Sequence, residues 1–164
     1  MRSGIKAQEK VQLQLSSSLH PNSYEFEVAY EGKCLAWDSY FADITEIEFI
    51  STAFDVSAGG TIQVRVRFNE EVDVTGTPQL TVVNDTNANH TLSYASGTGS
   101  NELVFSLTIA AGNAATDDGD VLSIGANATA LNGGTIKDKG TNTASTITNV
   151  ASIGTAAGTI TVTA

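Results

Sequence analysis

Thr61-Ile62-Gln63-Val64-Arg65-Val66-Arg67-Phe68 decides the fold. Apolar and polar residues alternate without a break. Extended backbone therefore puts Ile62, Val64, Val66 and Phe68 on one face and Gln63, Arg65 and Arg67 on the other. A helix would scatter the same residues around its circumference. Gly59-Gly60 precedes the run and Thr75-Gly76-Thr77-Pro78 follows it, and both are turn chemistry. The same period of two returns along the chain. Leu80 and Val82 follow Pro78, and Leu92 alternates to Tyr94. Leu103, Phe105, Leu107 and Ile109 stand against Val104, Ser106 and Thr108. Val121, Leu122 and Ile124 come next, then Leu131 and Ile136, then Ile147 and Val150, and Ile160 alternates to Val162. Turn signals fall between these runs: Asn84-Asp85, residues 96–101, Asp118-Gly119-Asp120 and Asn132-Gly133-Gly134. Strands spaced at roughly 8–12 residues with little helix signal predict an all-β fold, an antiparallel β-sandwich over residues 44–164.

Before the sandwich the pattern changes. Val11, Leu13 and Leu15 alternate with Gln12 and Gln14, and Tyr24, Phe26, Val28 and Tyr30 alternate with Glu25, Glu27, Ala29 and Glu31. Glu31-Gly32-Lys33 reads as a hairpin turn leading into Cys34 to Trp37. Residues 1–10 show no periodicity and read as an arm, mobile or bound to a partner. Residues 1–43 thus form an N-terminal arm and β-hairpin segment. Eight of the eleven aromatic residues lie in residues 1–60, which concentrates them in the first part of the chain. A hairpin is marginal in water by itself, so its aromatic stripe needs a cover. That cover is either the flank of its own sandwich or another molecule. In the second case Tyr24, Phe26, Tyr30, Trp37, Tyr40 and Phe41 are the partner interface, because aromatics are enriched at interface cores.

Charge excludes several functions. The 164 residues carry 8 Lys and Arg against 18 Asp and Glu, net −10, with −5 on each side of residue 60. This argues against nucleic acid as a partner, since displacing phosphate counterions takes a basic surface, and against anionic lipid. No apolar run approaches the roughly 18 residues of a membrane helix. The first residues lack the apolar core of a secretory signal. A single cysteine, Cys34, excludes an internal disulfide framework, which suits an intracellular or otherwise disulfide-independent origin.

Residues 59–80, from Gly59-Gly60-Thr61-Ile62 to Thr77-Pro78-Gln79-Leu80, resemble the opening of the bacterial Ig-like repeat found in large surface adhesins and phage virion proteins. Three further stretches resemble later parts of that repeat in order: Tyr94 to Phe105 its Gly-rich turn and following strand, Ala110 to Asp117 its next corner, and Leu131 to Asp138 its late strand and turn. The resemblance covers about residues 45–150. Gly140-Thr141-Asn142-Thr143-Ala144 departs from the usual end, and residues 1–43 resemble no known family. The resemblance implies an Ig-like β-sandwich used as a spacer, an adhesive module or a virion decoration.

Few residues suggest chemistry. Asp117, Asp118 and Asp120 place three carboxylates in one turn. They are a candidate Ca²⁺ site with Asp138 or Glu70 joining from another loop, or else a solvated turn. No other cofactor is expected. Glu70, Glu71 and Asp73 have the residue types of a glycosidase acid–base pair but read better as an exposed strand end. His20 and His90 lie far apart, His90 reads as an exposed loop residue, and no nucleophile–base–orienter set can be assembled. Cys34 reads as a small core or edge residue. Asn84, Asn89 and Asn127 begin N-glycosylation patterns that an Asn/Thr-rich chain produces by chance.

An enzyme is therefore not expected. The reading favoured is a bacteriophage virion protein, a capsid decoration protein whose N-terminal segment binds capsid or other virion proteins and whose Ig-like domain projects outward. Three features point there: a chain beginning at its own Met, one Ig-like unit, and the aromatic segment before it. A dimer or trimer is expected from symmetry. The alternative is a module of a bacterial cell-surface adhesin.

Overall fold

A computed structural model describes residues 41–153 and 157–164, together with the backbone of four short strands within residues 1–40. The chain divides into two units, Met1–Tyr40 and Phe41–Ala164, three residues ahead of the division expected.

In the first unit, β1 (Gln14–Ser16) pairs antiparallel with β2 (Glu25–Glu27), placing Leu15 opposite Phe26. β3 (Ala29–Tyr30) pairs antiparallel with β4 (Lys33–Cys34). Glu31-Gly32 joins them, and Lys33 already belongs to the strand.

The second unit is all-β: β5 (Ile44–Phe49), β6 (Phe54–Asp55), β7 (Gly60–Thr75), β8 (Gln79–Asn84), β9 (His90–Ser96), β10 (Ser100–Ile109), β11 (Val121–Ala130), β12 (Thr135–Asp138) and β13 (Thr159–Thr163). They form one curled sheet in the order β12-β7-β10-β9-β8-β11-β13-β6, with β5 also on β7. All pairs are antiparallel except β6 with β13, so the sheet is mixed where an antiparallel sandwich was expected.

The alternation that begins at Ile62 runs much further than Phe68. β7 is 16 residues long, and its even positions Ile62, Val64, Val66, Phe68 and Val72 are all buried. Its first half lies between β5 and β10, and its end pairs with β12. Facing this layer are Leu80, Val82 and Leu92, with Leu122, Ile124, Ile160 and Val162, all in one apolar cluster with Phe105 beneath. The Phe105 ring meets Tyr94 edge-on at 6.0 Å, an arrangement the ring quadrupoles favour. The Tyr94 hydroxyl accepts the Thr98 N–H at 2.8 Å and so ties down the β9–β10 turn. Gly97 in that turn has φ +115°, and a Cβ there would overlap the Glu102 carbonyl oxygen.

β5 was not legible as a strand, for a physical reason. Ile44 and Ile47 both point into the core although three residues separate them, which breaks the period of two. A register shift between Ile44 and Glu46 supplies the extra residue, so the strand changes phase at a bulge.

The ladders give the unit two poles. Phe41 to Asp43 arrive beside Asn69: the Asn69 N–H donates to the Asp43 carbonyl at 3.1 Å, and the Asp43 N–H donates to Asn69 Oδ1 at 2.6 Å. β12, with Asp138 opposite Val72, lies toward this arrival pole. Thr163 leaves at the other end of β7, where its carbonyl accepts the Val56 N–H at 2.8 Å and the Val56 carbonyl accepts the Gly112 N–H at 2.9 Å. Gly60 opposite Ile109 marks this departure pole. The extended strand from Gly60 to Asn69 separates the poles by about 30 Å.

A sheet of this order would leave β5 and β12 as open edges. Residues 143–153, expected to contain a strand at Ile147 and Val150, instead form an irregular strap across both. The Thr146 N–H donates to the Ala42 carbonyl at 2.8 Å, and the Ser145 N–H donates to the Ile136 carbonyl at 3.0 Å. On its far side the strap bonds β11. Buried Asn149 accepts the Asn127 N–H on its carbonyl at 2.9 Å and the Ala128 N–H on Oδ1 at 2.8 Å, and its Nδ2 donates to the Gly125 carbonyl at 2.9 Å. Val150 is 70 % exposed, and Leu131, also expected in a strand, sits in a turn.

Two substitutions check this closure. Asn149→Ala leaves a buried N–H and a C=O without partners and is expected to cost about 2–4 kcal/mol in urea unfolding. Thr129→Val removes a buried hydroxyl that has no partner among the described residues, and is expected to be neutral or stabilising. A neutral Asn149→Ala would mean that the strap does not close the sheet.

Candidate functional site

The densest polar cluster lies at the departure pole around Asp120. Asp120 begins where the 117–120 turn feeds β11, and its side chain is buried. Oδ2 accepts Asn84 Nδ2 at 2.7 Å, Asn87 Nδ2 at 3.0 Å and the Asp117 N–H at 2.9 Å. Oδ1 accepts the Thr86 hydroxyl. These donors, the Asp117 N–H foremost, then Thr86 and Asn84, hold the carboxyl well below the usual carboxylate range. The backbone joins in: the Val162 N–H donates to the Asp120 carbonyl at 2.8 Å, and the Gly119 N–H donates to the Val162 carbonyl at 3.0 Å. The Asp120 carboxylate thereby fastens the β8–β9 turn to the 117–120 turn, and the backbone of that turn holds β13.

His90 borders this cluster. It is buried, not exposed as expected, because it opens β9 under the 113–117 corner, where Nε2 lies 3.2 Å from Thr116 Oγ1. Burial lowers its pKa, against the opposing pull of Asp120.

The three aspartates expected to gather around Ca²⁺ do not converge. Asp117 and Asp118 are exposed while Asp120 turns inward. Both Asp120 oxygens already face N–H or O–H donors, which a cation needing six to eight oxygen ligands would have to displace. Among the described residues no three His, Cys, Asp or Glu side chains are grouped to hold a metal ion. Asp138 cannot join them: it lies at the arrival pole, where its Oδ1 caps Thr141 N–H at 2.7 Å, and Glu70 lies on β7 toward that same pole. These residues do not fit a Ca²⁺ site.

A second cluster was missed because β5 was missed. The arginines on the outer face of β7 stand between Glu46 and Glu48 of β5 and Glu102 of β10. Arg65 donates through Nε and Nη2 to Glu48 Oε1 and lies 3.4 Å from Glu102 Oε2. Arg67 donates to Glu102 Oε1 and to Glu46 Oε2, each at 2.8 Å. Five charges form one cross-strand network. Its role is to cover a sheet face, and its groups are occupied with one another.

The remaining candidates fall as follows. Glu71 is exposed and paired with Lys139 Nζ at 2.6 Å, and Asp73 lies opposite Lys137 across the β7–β12 ladder. Asn84 is buried with Nδ2 committed to Asp120, so its glycosylation pattern is inaccessible, while Asn89 and Asn127 are exposed. Of the aromatic interface candidates, Phe26 lies in β2, Tyr30 in β3, and Phe41 is half-buried at the start of the second unit. Tyr24, Trp37 and Tyr40 lie outside the described residues, as do His20 and residues 1–10. Cys34 ends β4. Among the described residues no helix is long and apolar enough to cross a membrane.

Compared with family models, curated proteins and solved structures, the chain matches none. The resemblance to Ig-like repeats rests on its own four stretches.

The polar cluster makes stability sensitive to acid. Asp120→Ala strands four donors and is expected to cost about 2–4 kcal/mol. His90 has a lowered folded pKa, so the unfolded chain takes its proton first and stability falls as pH drops below about 6.5. Asp120 has a depressed folded pKa, so its contribution is present above about 3.8 and is lost as pH falls further. Urea midpoints against pH should show both declines, and His90→Gln should flatten the first and keep the second. An unchanged upper window in His90→Gln would exclude His90 as its source.

Proposed function

We propose that this chain is a non-enzymatic structural protein of a bacteriophage virion, a capsid decoration protein. Residues 1–40 are its attachment segment, and residues 41–164 are an Ig-like domain that projects from the particle. The observation that carries the reading is axial: the chain arrives at one pole and β13 ends at the other, about 30 Å away along β7. A module built this way extends outward from whatever holds its N-terminal side. The attachment role rests on the aromatic residues concentrated before the domain, including Tyr24, Phe26, Tyr30 and Trp37. Binding only the assembled shell would stabilise it by linkage, and a dimer or trimer would match lattice symmetry.

The axial course also suits the second reading, a bacterial surface adhesin, because modules with opposed ends repeat head to tail.

Purified full-length protein is expected to bind expanded, undecorated phage heads in a sedimentation assay. Deletion of residues 1–40 should abolish binding and leave the second unit folded by circular dichroism. The cut belongs at residue 40, because Ala42 and Asp43 bond Thr146 and Asn69. Equal decoration by the truncated protein would overturn the attachment role. Binding to bacterial cells or glycans and never to heads would favour the adhesin.

A further inference from the structure

We propose that Asn132 is a self-modification site, where the chain converts its own asparagine into aspartate and isoaspartate through a succinimide. The proposal concerns the second unit alone and does not depend on the virion reading. Asn132 and Gly133 are the central residues of the turn between β11 and β12, and both are exposed. Their φ angles are +47° and +77°, and the Gly134 N–H donates to the Leu131 carbonyl at 2.8 Å. Two positive φ angles inside such a bond make a type I′ turn, which favours the pair Asn-Gly.

The reaction needs a side-chain carboxamide, the backbone nitrogen that follows it, and water. The Gly133 nitrogen gives its proton to hydroxide and attacks Asn132 Cγ. A C–N bond forms and closes the succinimide ring, and the Cγ–Nδ2 bond breaks to release ammonia. Water then opens the ring at either of its carbonyls. One opening leaves aspartate, and the other leaves isoaspartate, whose main chain runs through Cβ. Nothing is oxidised or reduced.

Gly133 suits the attack. It carries no Cβ, open space surrounds the place a Cβ would take, and its N–H has no partner among the described residues. The pair Asp118-Gly119 lacks this freedom, because the Gly119 N–H donates to the Val162 carbonyl at 3.0 Å. Every other asparagine is followed by a residue with a Cβ. Asn84 and Asn149 are also buried, and the N–H after Asn127 donates to Asn149 Oδ1 at 2.8 Å. Two bonds oppose the attack at Asn132. Its Nδ2 donates to the Thr77 carbonyl at 3.2 Å, and the Leu131–Gly134 bond must open as the Gly133 nitrogen turns toward Cγ. Both lie at an exposed turn, where opening is local, so they slow the step without blocking it. The isoaspartate product does not fit the turn it leaves. It adds a main-chain carbon between Leu131 and Gly134, and Gly134 is packed so closely that a Cβ on it would lie 2.3 Å from the Thr75 carbonyl oxygen. Modification therefore loosens the join of β11 to β12.

The test holds the folded full-length protein in mildly alkaline buffer over days and follows its peptides by mass spectrometry. Among the asparagines of residues 41–153, Asn132 is expected to show the mass gain of amide-to-acid conversion several-fold faster than any other. Methylation by an isoaspartyl methyltransferase should label the same peptide. Gly133→Ala should slow the conversion several-fold by crowding the nucleophilic nitrogen. Asn132→Gly keeps a residue suited to positive φ and should abolish the label while circular dichroism stays unchanged. The isoaspartate form, separated by ion exchange, is expected to unfold at a lower urea midpoint than the unmodified protein. An Asn132 that stays intact while another of these asparagines converts would overturn the proposal, as would a Gly133→Ala protein that reacts at the original rate. An equal urea midpoint would overturn the loosening of the β11–β12 join.

Discussion

β7 places the three strands that pair with it, β5, β10 and β12, and through β10 the rest of the sheet follows. Ile62, Val64, Val66, Phe68 and Val72 share one parity and are all buried, so one strand supplies apolar side chains to the core along most of its length. A one-residue slip would turn that entire set to solvent, and the register of β5, β10 and β12 is fixed accordingly. The same strand sets the axis. Because the chain joins it near Asn69 and leaves beside its first residue, the polarity of the module follows from β7 and not from the loops.

Where the ladder ends, polar side chains take over. A curled sheet of this size has backbone groups at its seams that no neighbouring strand reaches, and leaving them bare inside the protein costs about 1–3 kcal/mol each. Asn149 answers this at the seam between the strap and β11, using its backbone carbonyl, its Oδ1 and its Nδ2. Asp120 answers it at the departure pole, and Asp138 caps the β12 turn. The buried acids are thus structural acceptors for N–H and O–H groups. That use competes with metal binding, because an oxygen occupied by several donors has no lone pair directed at a cation.

Most of the fold was legible and most of the polar chemistry was not, for the same reason. Strands with unbroken alternation, such as Ile62 to Phe68 and Leu103 to Phe105, announce themselves because burial on one face leaves a period of two. Ile44 and Ile47 did not, since a bulge shifts phase between them. Losing β5 also lost the partners of Arg65 and Arg67, because Glu46 and Glu48 acquire meaning only when their strand is in place. Asp117, Asp118 and Asp120 were legible as a turn, yet their divergence depends on Asn84, Thr86 and Asn87, which arrive from far away in sequence. His90 carried no local sign of burial, as the corner over it begins more than twenty residues later. Local periodicity reports which face is inside, and it is silent on which polar groups meet there.

The covered edges narrow how this module can meet a partner. Open strand edges invite another chain to add a strand, and proteins that avoid this cover or shorten them. Here the outer edge of β5 and that of β12 are both occupied by residues 143–153, and the last strand in the order, β6, is two residues long. The outer face of β5, β7 and β10 is taken up by ion pairs among five charges. On the opposite outer face Thr81, Ser123, Thr159 and Thr161 lie on neighbouring strands, with Asp55 at its β6 edge. A partner would thus meet side chains and turns, with backbone pairing largely used up inside the unit.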